Sequence, residues 1–213
     1  MSMDMSKTSL VRLHLTPDSF ETFECSVPIT LGLYTESLVG CLQKAKSSKL
    51  MWKINNNTTL SVILLHEDQT TEFQIRAIDI EEDQLDIPNM DDDMALQVDA
   101  TVLREWTDKM MMTKAECQFQ ITREKFQWSS TATEFGTITH CEPLNGKRIE
   151  SLAVRNTVDI TLSSQAVKAM SMFSHCGSTC MLGFSNGQPS RLKVDLLYGS
   201  HLCLLVAPKI VDN

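Results

Sequence analysis

The sequence predicts an α+β protein in which a strand, a helix and a three-stranded meander recur along the chain. Three observations predict this class. Apolar and polar residues alternate over short segments, as in strands with one buried face. Other segments have apolar residues at helical spacing and begin next to capping residues. The two kinds of segment recur in the same order, which favours sheets on one side of the protein and helices on the other.

Residues 1–76 contain one full module and the tail of another. Ser9–Thr16 alternates like a strand, with Val11 and Leu13 on one face. Thr35–Lys46 is predicted to be a helix with Thr35 as its N-cap. Three predicted strands follow, separated by polar turns: Leu50–Ile54, Leu60–Leu65 and Thr71–Ile78. The strand–helix opening of the earlier module is absent, so we interpret the first module as truncated.

Residues 94–213 contain two further modules. Asp99 can cap a helix that extends through Met112, and Ser163–Phe173 is predicted to be a second helix. The predicted strands around them are Glu116–Thr122, Lys125–Ser129, Phe135–Cys141, Thr157–Leu162, Thr179–Phe184, Arg191–Leu197 and His201–Ala207. We therefore predict two domains, residues 1–76 and 94–213, joined by residues 77–93.

The net charge of −8 is concentrated in the joining segment. Residues 77–93 hold eight acidic residues and no Lys or Arg, whereas residues 1–76 carry a net charge of −1 and residues 94–213 a net charge of +1. Clustered acids repel one another and stay solvated. Two interpretations remain, a solvated acidic loop or a linker between two near-neutral domains.

Composition and cysteine usage indicate a globular protein of a reducing compartment. The 213 residues are 42% hydrophobic and 22% charged, as in ordinary globular domains. No apolar stretch approaches the roughly 18 residues of a membrane helix, and the first residues lack a secretory layout. Seven scattered cysteines are expected to be reduced and mostly buried.

No motif specifies catalysis. The sequence has no G-x-S-x-G, P-loop or G-x-G-x-x-G segment. His175, Cys176 and Cys180 form the closest approach to a zinc motif, but Cys180, Cys141 and Cys203 fall within strand patterns, where thiols act as small hydrophobes. We therefore expect no enzyme activity, no metal and no cofactor.

Three segments of the sequence are distinctive: SMDxSxxSLVxLxL at Ser2–Leu15, IDIEEDQLDIP at Ile78–Pro88 and HLxLLVAPKI at His201–Ile210. They resemble the eukaryotic-type sliding clamps of the proliferating cell nuclear antigen family. The resemblance spans essentially the whole chain and weakens through residues 94–190. It implies the two-domain DNA clamp fold, with sheets outside and helices inside, and a chain that lacks the opening strand and DNA-facing helix of the first module.

The same resemblance implies a function. Family members are DNA polymerase processivity factors that close as three subunits around double-stranded DNA. Basic side chains on the inner helices would meet phosphates without reading bases. The matching residues are Lys44, Lys46, Arg104, Lys109 and Lys168. The family's modifiable lysine stands as Arg123 here.

The resemblance also implies two protein-binding surfaces. DNA polymerase, the clamp loader and other partners would dock a peptide with a Gln, an aliphatic residue and two aromatics into an apolar depression. Its residues are Met3, Leu10, Leu85, Ile87, Pro189, Leu205, Ala207 and Pro208. In a second interpretation, Leu85 and Ile87 only pin the connector to the core. In a homotrimer, an edge strand with Phe73 and Ile75 would pair with an edge strand that carries Ile138 in the next subunit.

Two other functions remain compatible with the sequence. One is a checkpoint-type clamp paralogue that works in a hetero-ring. The other is a truncated clamp remnant that acts as a peptide-binding regulator. A clamp is expected in the nucleus, or at a viral replication site if the source is a virus.

Overall fold

The computed structural model describes residues 2–3, 8–45, 48–79 and 91–209. Its helices are α1 (Thr35–Leu42), α2 (Ala100–Met111) and α3 (Ser164–Phe173). Its strands are β1 (Ser2–Met3), β2 (Ser9–His14), β3 (Lys49–Asn55), β4 (Thr59–His66), β5 (Gln69–Arg76), β6 (Met94–Asp99), β7 (Cys117–Ile121), β8 (Lys125–Ala132), β9 (Gly136–Pro143), β10 (Ile149–Val154), β11 (Val158–Leu162), β12 (Thr179–Phe184), β13 (Ser190–Asp195) and β14 (His201–Val206). The α+β class predicted from the repeated modules is confirmed.

The smaller of two compact units comprises Glu24–Pro88. It contains an antiparallel sheet in the order β3-β4-β5, with α1 packed on one face. Its small core consists of Cys41, Leu60, Val62, Leu64 and Ile75.

The larger unit combines Met1–Phe23 with Asn89–Asn213. Its seven-stranded sheet has the order β1-β2-β14-β13-β12-β6-β10, and its four-stranded sheet has the order β11-β7-β8-β9. Helices α2 and α3 pack against each other and against the larger sheet. The core is rich in aromatic residues, and the rings of Trp106 and Phe126 stack with centroids 4.6 Å apart.

Helices α2 and α3 are each capped by the side chain of the residue directly before them. The Asp99 side chain accepts a hydrogen bond from the Thr101 backbone N–H at 2.7 Å, so the predicted cap of α2 is confirmed. Ser163 accepts similarly from the Ala166 backbone N–H. The predicted cap of α1 is wrong, because Thr35 lies inside the helix and the preceding Tyr34 makes no side-chain capping bond.

Several strands differ from the predicted ones. Strands β6 and β10 were not predicted, and they pair with each other at the end of the large sheet. The predicted strand Arg191–Leu197 ends at Asp195, because Leu197 begins a short 3-10 turn. Cys180 and Cys203 are buried as expected, but Cys141 is exposed on β9. Burial raises the pKa of the Cys180 thiol to about 11, which makes it an inert core group.

The β2–β14 pairing joins a strand near the beginning of the chain to the last described strand of the larger unit. His14 lies opposite His201, and Ser9 lies opposite Val206. Compact units and repeated modules therefore divide the chain differently, and the domains 1–76 and 94–213 with connector 77–93 stay a prediction. Among the described residues, no helix is long and apolar enough to cross a membrane.

Candidate docking and DNA-facing surfaces

One row of residues crosses the large sheet on the face opposite the helices. Strand register places Gly183 beside Arg191, Arg191 beside Leu205, and Leu205 beside Leu10. The neighbouring Leu204 and Val206 belong to the helix-side core, and alternate residues of a strand point to opposite faces. This row contains two of the predicted peptide-binding residues.

The described peptide-binding residues gather at one corner of this face. Leu10 and Leu205 are cross-strand neighbours, and both are buried. The exposed Ala207 donates its backbone N–H to the Thr8 carbonyl at 2.8 Å. Exposed Pro189 directly precedes Ser190, which pairs with Val206. The corner has a buried apolar floor with an exposed rim at Ala207 and Pro189, and Pro208 beside them is half-buried.

Three other residues predicted for this surface lie partly or wholly outside the described residues. The side chain of Met3 and all of Leu85 and Ile87 lie outside the described residues, although the Met3 backbone pairs with Leu10. The composition of the complete depression therefore stays a prediction.

The end of the acidic segment is anchored beside this row. Asp91 lies 3.3 Å from Arg155, and the backbone N–H of Asp93 donates to the Ser185 hydroxyl at 2.9 Å. Asp92 forms an ion pair with Arg191, and only 3% of its side chain is exposed. The interpretation of residues 77–93 as wholly solvated is wrong at Asp92. Sequence reasoning missed this ion pair because the two residues lie 99 positions apart.

Gly183 makes room for the Asp92 carboxylate. A Cβ at this position would collide with all three carboxylate atoms of Asp92. Burial raises the pKa of Asp92, and the nearby Arg191 guanidinium opposes that shift. Among the described residues, Asp92 Oδ1 has no hydrogen-bond partner. Gly183, Asp92 and Arg191 together fix residues 91–93 on the sheet, next to Leu205.

The predicted DNA-facing residues differ in their surroundings. Lys109 lies 2.6 Å from Glu105 on the same helix, and Arg148 pairs with that glutamate too. Arg104 is half-buried and donates its Nε–H to the Ala100 carbonyl. Lys44 is exposed directly after α1, and Lys46 lies outside the described residues. Glu105 therefore balances only part of the positive charge of Lys109, because it shares its carboxylate with Arg148.

A groove between α2 and α3 carries basic residues that the sequence patterns only partly predicted. Its volume is about 350 Å³, and it is lined by Met110, Met111, Lys114, Ala115, Ser164, Gln165, Val167 and Lys168. Lys168 was predicted to face DNA. Lys114 was missed because it follows the helix in a turn with φ of 52°, outside the helical pattern.

The two predicted subunit-interface strands are both edge strands. Strand β5 ends the order β3-β4-β5, and β9 ends the order β11-β7-β8-β9. Phe73 and Ile75 point into the small core, while Ile138 packs on the large one. These side chains pack toward the cores. A neighbouring chain would therefore pair with the unpaired backbone N–H and C=O groups of the two edge strands.

Among the described residues, no group of three His, Cys, Asp or Glu side chains could hold a metal ion. The molecule is an α+β protein of repeated strand–helix–meander modules, and β5 and β9 are among the edge strands of its sheets. A family model described as "Proliferating cell nuclear antigen, N-terminal domain" matches residues 1–101.

Relatives extend the match over the rest of the chain. Proliferating cell nuclear antigen of Saccharomyces cerevisiae is 22% identical over 100% of this chain and 85% of its own length. The DNA polymerase sliding clamp of Methanobrevibacter smithii is 24% identical over 100% of this chain and 84% of its own length. The probable DNA polymerase sliding clamp 2 of Paramecium bursaria Chlorella virus 1 is 20% identical over 100% and 78%, respectively. Over its whole length the chain is similar to the sliding clamps of the proliferating cell nuclear antigen family.

Proposed function

We propose that this protein is a DNA sliding clamp that acts as a DNA polymerase processivity factor and a docking platform for replication and repair proteins. The observation that carries the proposal is the match of the whole chain to sliding clamps from a yeast, an archaeon and a virus. A clamp makes and breaks no bonds, so the protein is not an enzyme. Its function is to bind DNA independently of base sequence and to hold partner proteins on the DNA.

Diffuse contacts between basic side chains and phosphates allow such a protein to slide. Each neutralised phosphate releases counterions, and these contacts carry no sequence information. Lys114 and Lys168 at the α2–α3 groove are suited to this role, because neither forms an ion pair with a described acidic residue. Lys109, in contrast, is paired with Glu105. The exposed corner at Ala207 and Pro189 would receive partner peptides, and the nucleus, or a viral replication site, is the proposed location.

Ring closure is the first test of the proposal. We expect light scattering to give three times the 24.0 kDa mass of one chain. Replacing both Thr139 and Cys141 on the exposed side of β9 by Lys should reduce the mass to that of a monomer, because lysines on an edge strand oppose pairing. Leu152→Lys on β10, which is also an edge strand, is the control and should leave the mass unchanged.

A wild-type mass of one chain at every micromolar concentration would contradict the ring. If that monomer still bound the partner peptide, the regulator function would replace the clamp function. The ion pair that occupies Lys109 is the observation in favour of that second function.

DNA binding should depend on the α2–α3 groove. Wild type is expected to bind duplex DNA with a Kd in the range of about 10⁻⁴–10⁻⁶ M. Reversing the charge of Lys114 and Lys168 together should weaken binding and reduce the salt slope by about 0.9 for each phosphate that is no longer neutralised. Lys109→Glu should have a smaller effect, since Lys109 is already engaged in an ion pair with Glu105. Fluorescence anisotropy across a salt titration measures both the affinity and the slope.

Reversal of Lys125 and Lys147 is the matched control, because both are exposed and neither lines this groove. If this control pair weakened binding as much as the groove pair, the effect would come from net charge and not from the groove.

Peptide docking should depend on the exposed rim. Ala207→Glu is expected to weaken a peptide with a Gln, an aliphatic residue and two aromatics by about 1–3 kcal/mol, because the new carboxylate must be desolvated under the aromatic pair. Ile87→Ala should weaken it by a similar amount. The control Leu197→Glu adds the same charge at a fully exposed turn and should leave the affinity unchanged. Equal affinity of the labelled peptide for wild type and Ala207→Glu would place the site elsewhere.

A further inference from the structure

A cluster of basic side chains lies beside the corner of the large sheet whose floor is Leu10 and Leu205. It occupies the adjacent strands β13, β14 and β2. Its members, here called the basic strip, are Arg12, His14, Arg191, Lys193 and His201. Each lies an even number of residues from Leu10, Arg191 or Leu205, which form one cross-strand row. Because alternate residues of a strand share a face, every basic residue of these three strands lies on the face opposite the helices.

Strand register brings two of these cations to either side of a buried thiol. Cys203 pairs with Lys193 on one neighbouring strand and with Arg12 on the other. Neighbouring strands are about 5 Å apart and alternate residues of one strand about 7 Å apart. The row of Lys193, Cys203 and Arg12 therefore lies about 7 Å from Leu205, and its two cations lie about 10 Å from each other.

The next row of the strip shows that the surroundings are positive on balance. The rings of His14 and His201 stack with centroids 4.9 Å apart. Burial lowers the pKa of His201, and the nearby Lys193, His14 and Arg12 lower it further. Asp195 lies opposite His201 and opposes this shift without cancelling it. Such surroundings suit an anion and disfavour a bound cation.

Acidic residues neutralise only part of the strip. Strands β13, β14 and β2 contain one acidic residue, Asp195, which lies 3.0 Å from Lys193. Asp92 reaches the strip from outside these strands and pairs with Arg191. Exposed Arg12 has no ion pair with another described residue. The Asp195 side chain is 56% exposed, and exposed ion pairs are weak. An incoming carboxylate can therefore bind Arg12 and compete for Lys193.

The surface favours an acidic peptide over nucleic acid. Tight phosphate binding uses several unpaired cations, whereas Arg12 is the one unpaired arginine or lysine of the strip among the described residues. The strip also continues into apolar surface, since Cys203 and Leu205 are each 8% exposed. A short segment that combines apolar and acidic side chains matches both properties.

We propose that the basic strip binds acidic residues that flank the apolar plug of a partner peptide. The inference rests on the proposed docking function and specifies which peptides the corner receives. With the plug over Leu205, a carboxylate two or three residues away reaches Arg12 or Lys193, because an extended chain advances about 3.4 Å per residue. The plug supplies affinity, and the acidic flank selects among partners.

Labelled peptides with one common plug provide the test. The plug contains a Gln, an aliphatic residue and two aromatics, and a short run of Asp, Ser or Lys is placed before or after it. Fluorescence anisotropy with the full chain is expected to give a Kd about fivefold or more lower for the better Asp peptide than for its Ser counterpart. Raising NaCl from about 0.05 to 0.5 M should remove most of this difference. The Lys peptides should bind no more tightly than the Ser peptides.

Matched variants locate the contact. Arg12→Glu combined with Lys193→Glu should abolish the advantage of the Asp peptide and change the Kd of the Ser peptide by less than about twofold. Arg123→Glu with Lys125→Glu is the control, because it makes the same change in net charge at two exposed residues. Circular dichroism establishes that both double variants are folded. If the strip variant unfolds, the exchange of Asp for Ser in the peptide still tests the contact.

Three results would overturn the inference. Equal affinity of the Asp and Ser peptides, or tighter binding of the Lys peptides, would do so and leave the docking function intact. Failure of every peptide to bind would contradict the docking function, and the inference with it. Loss of duplex DNA binding in the strip variant and not in the control would assign the strip to nucleic acid.

Discussion

Gly183→Ala is expected to lower the free energy of unfolding by about 1–3 kcal/mol, because the added methyl group overpacks a filled site. Its Cβ would collide with the Asp92 carboxylate, which is buried and ion-paired with Arg191. Urea unfolding measures the loss, and hydrogen exchange should show faster exchange at residues 91–93. Gly40→Ala is the control, because nothing lies within 4 Å of its Cβ position. In α1 that change should stabilise by about 0.5–1 kcal/mol.

A double-mutant cycle separates the collision from other causes. Asp92→Ala removes the carboxylate, so Gly183→Ala should cost much less in that background than in wild type. Additive losses in the cycle would mean that the glycine is needed for a reason unrelated to Asp92.

Glu142→Ala is expected to lower the free energy of unfolding by about 2–4 kcal/mol, because it leaves the buried Trp106 indole N–H and the half-buried His140 without this acceptor. One carboxylate oxygen of Glu142 accepts from Trp106 Nε1 at 3.0 Å and lies 2.7 Å from His140 Nε2. The same oxygen lies 3.2 Å from the Arg148 guanidinium. Only 12% of the Glu142 side chain is exposed, so water can replace few of these hydrogen bonds.

Glu142→Gln keeps an acceptor for Trp106 and should cost less than the alanine variant. Glu150→Ala, at an exposed glutamate that accepts from Gln97, should change stability by no more than about 0.5 kcal/mol. Thermal and urea unfolding followed by tryptophan emission compare the three variants. Equal losses in all three would show that the network around Glu142 contributes nothing of its own.

Local sequence patterns predicted the parts of the fold that depend on neighbours along the chain. The alternation of Cys117, Phe119 and Ile121 identified β7, and Asp99 marked the start of α2. Strand β6 was missed although Met94, Leu96 and Val98 alternate, because it follows directly after the acidic segment and ends at the predicted helix cap Asp99. Strand β10 was missed because a bulge between Ser151 and Ala153 breaks its alternation.

The candidate surfaces were less predictable, because their key contacts are distant in sequence. The resemblance pointed to Leu10 and Leu205, and the structure pairs them across two strands. Nothing near Asp92 in sequence indicates that it is buried, since the space for it is made by Gly183. Lys114 gave no signal because it follows its helix in a turn with positive φ.

The pairing of β2 with β14 has a consequence for how the chain folds during synthesis. The backbone N–H of Thr16 donates to the Ser200 hydroxyl, 184 residues later. The ribosome therefore completes β2 long before its partner strand exists, and contacts this far apart in sequence form slowly. A nascent chain that has not yet reached His201 leaves the edges of β2 and β13 open at the same time, and open edges invite aggregation. Completion of the large sheet thus waits until His201–Val206 has left the ribosome.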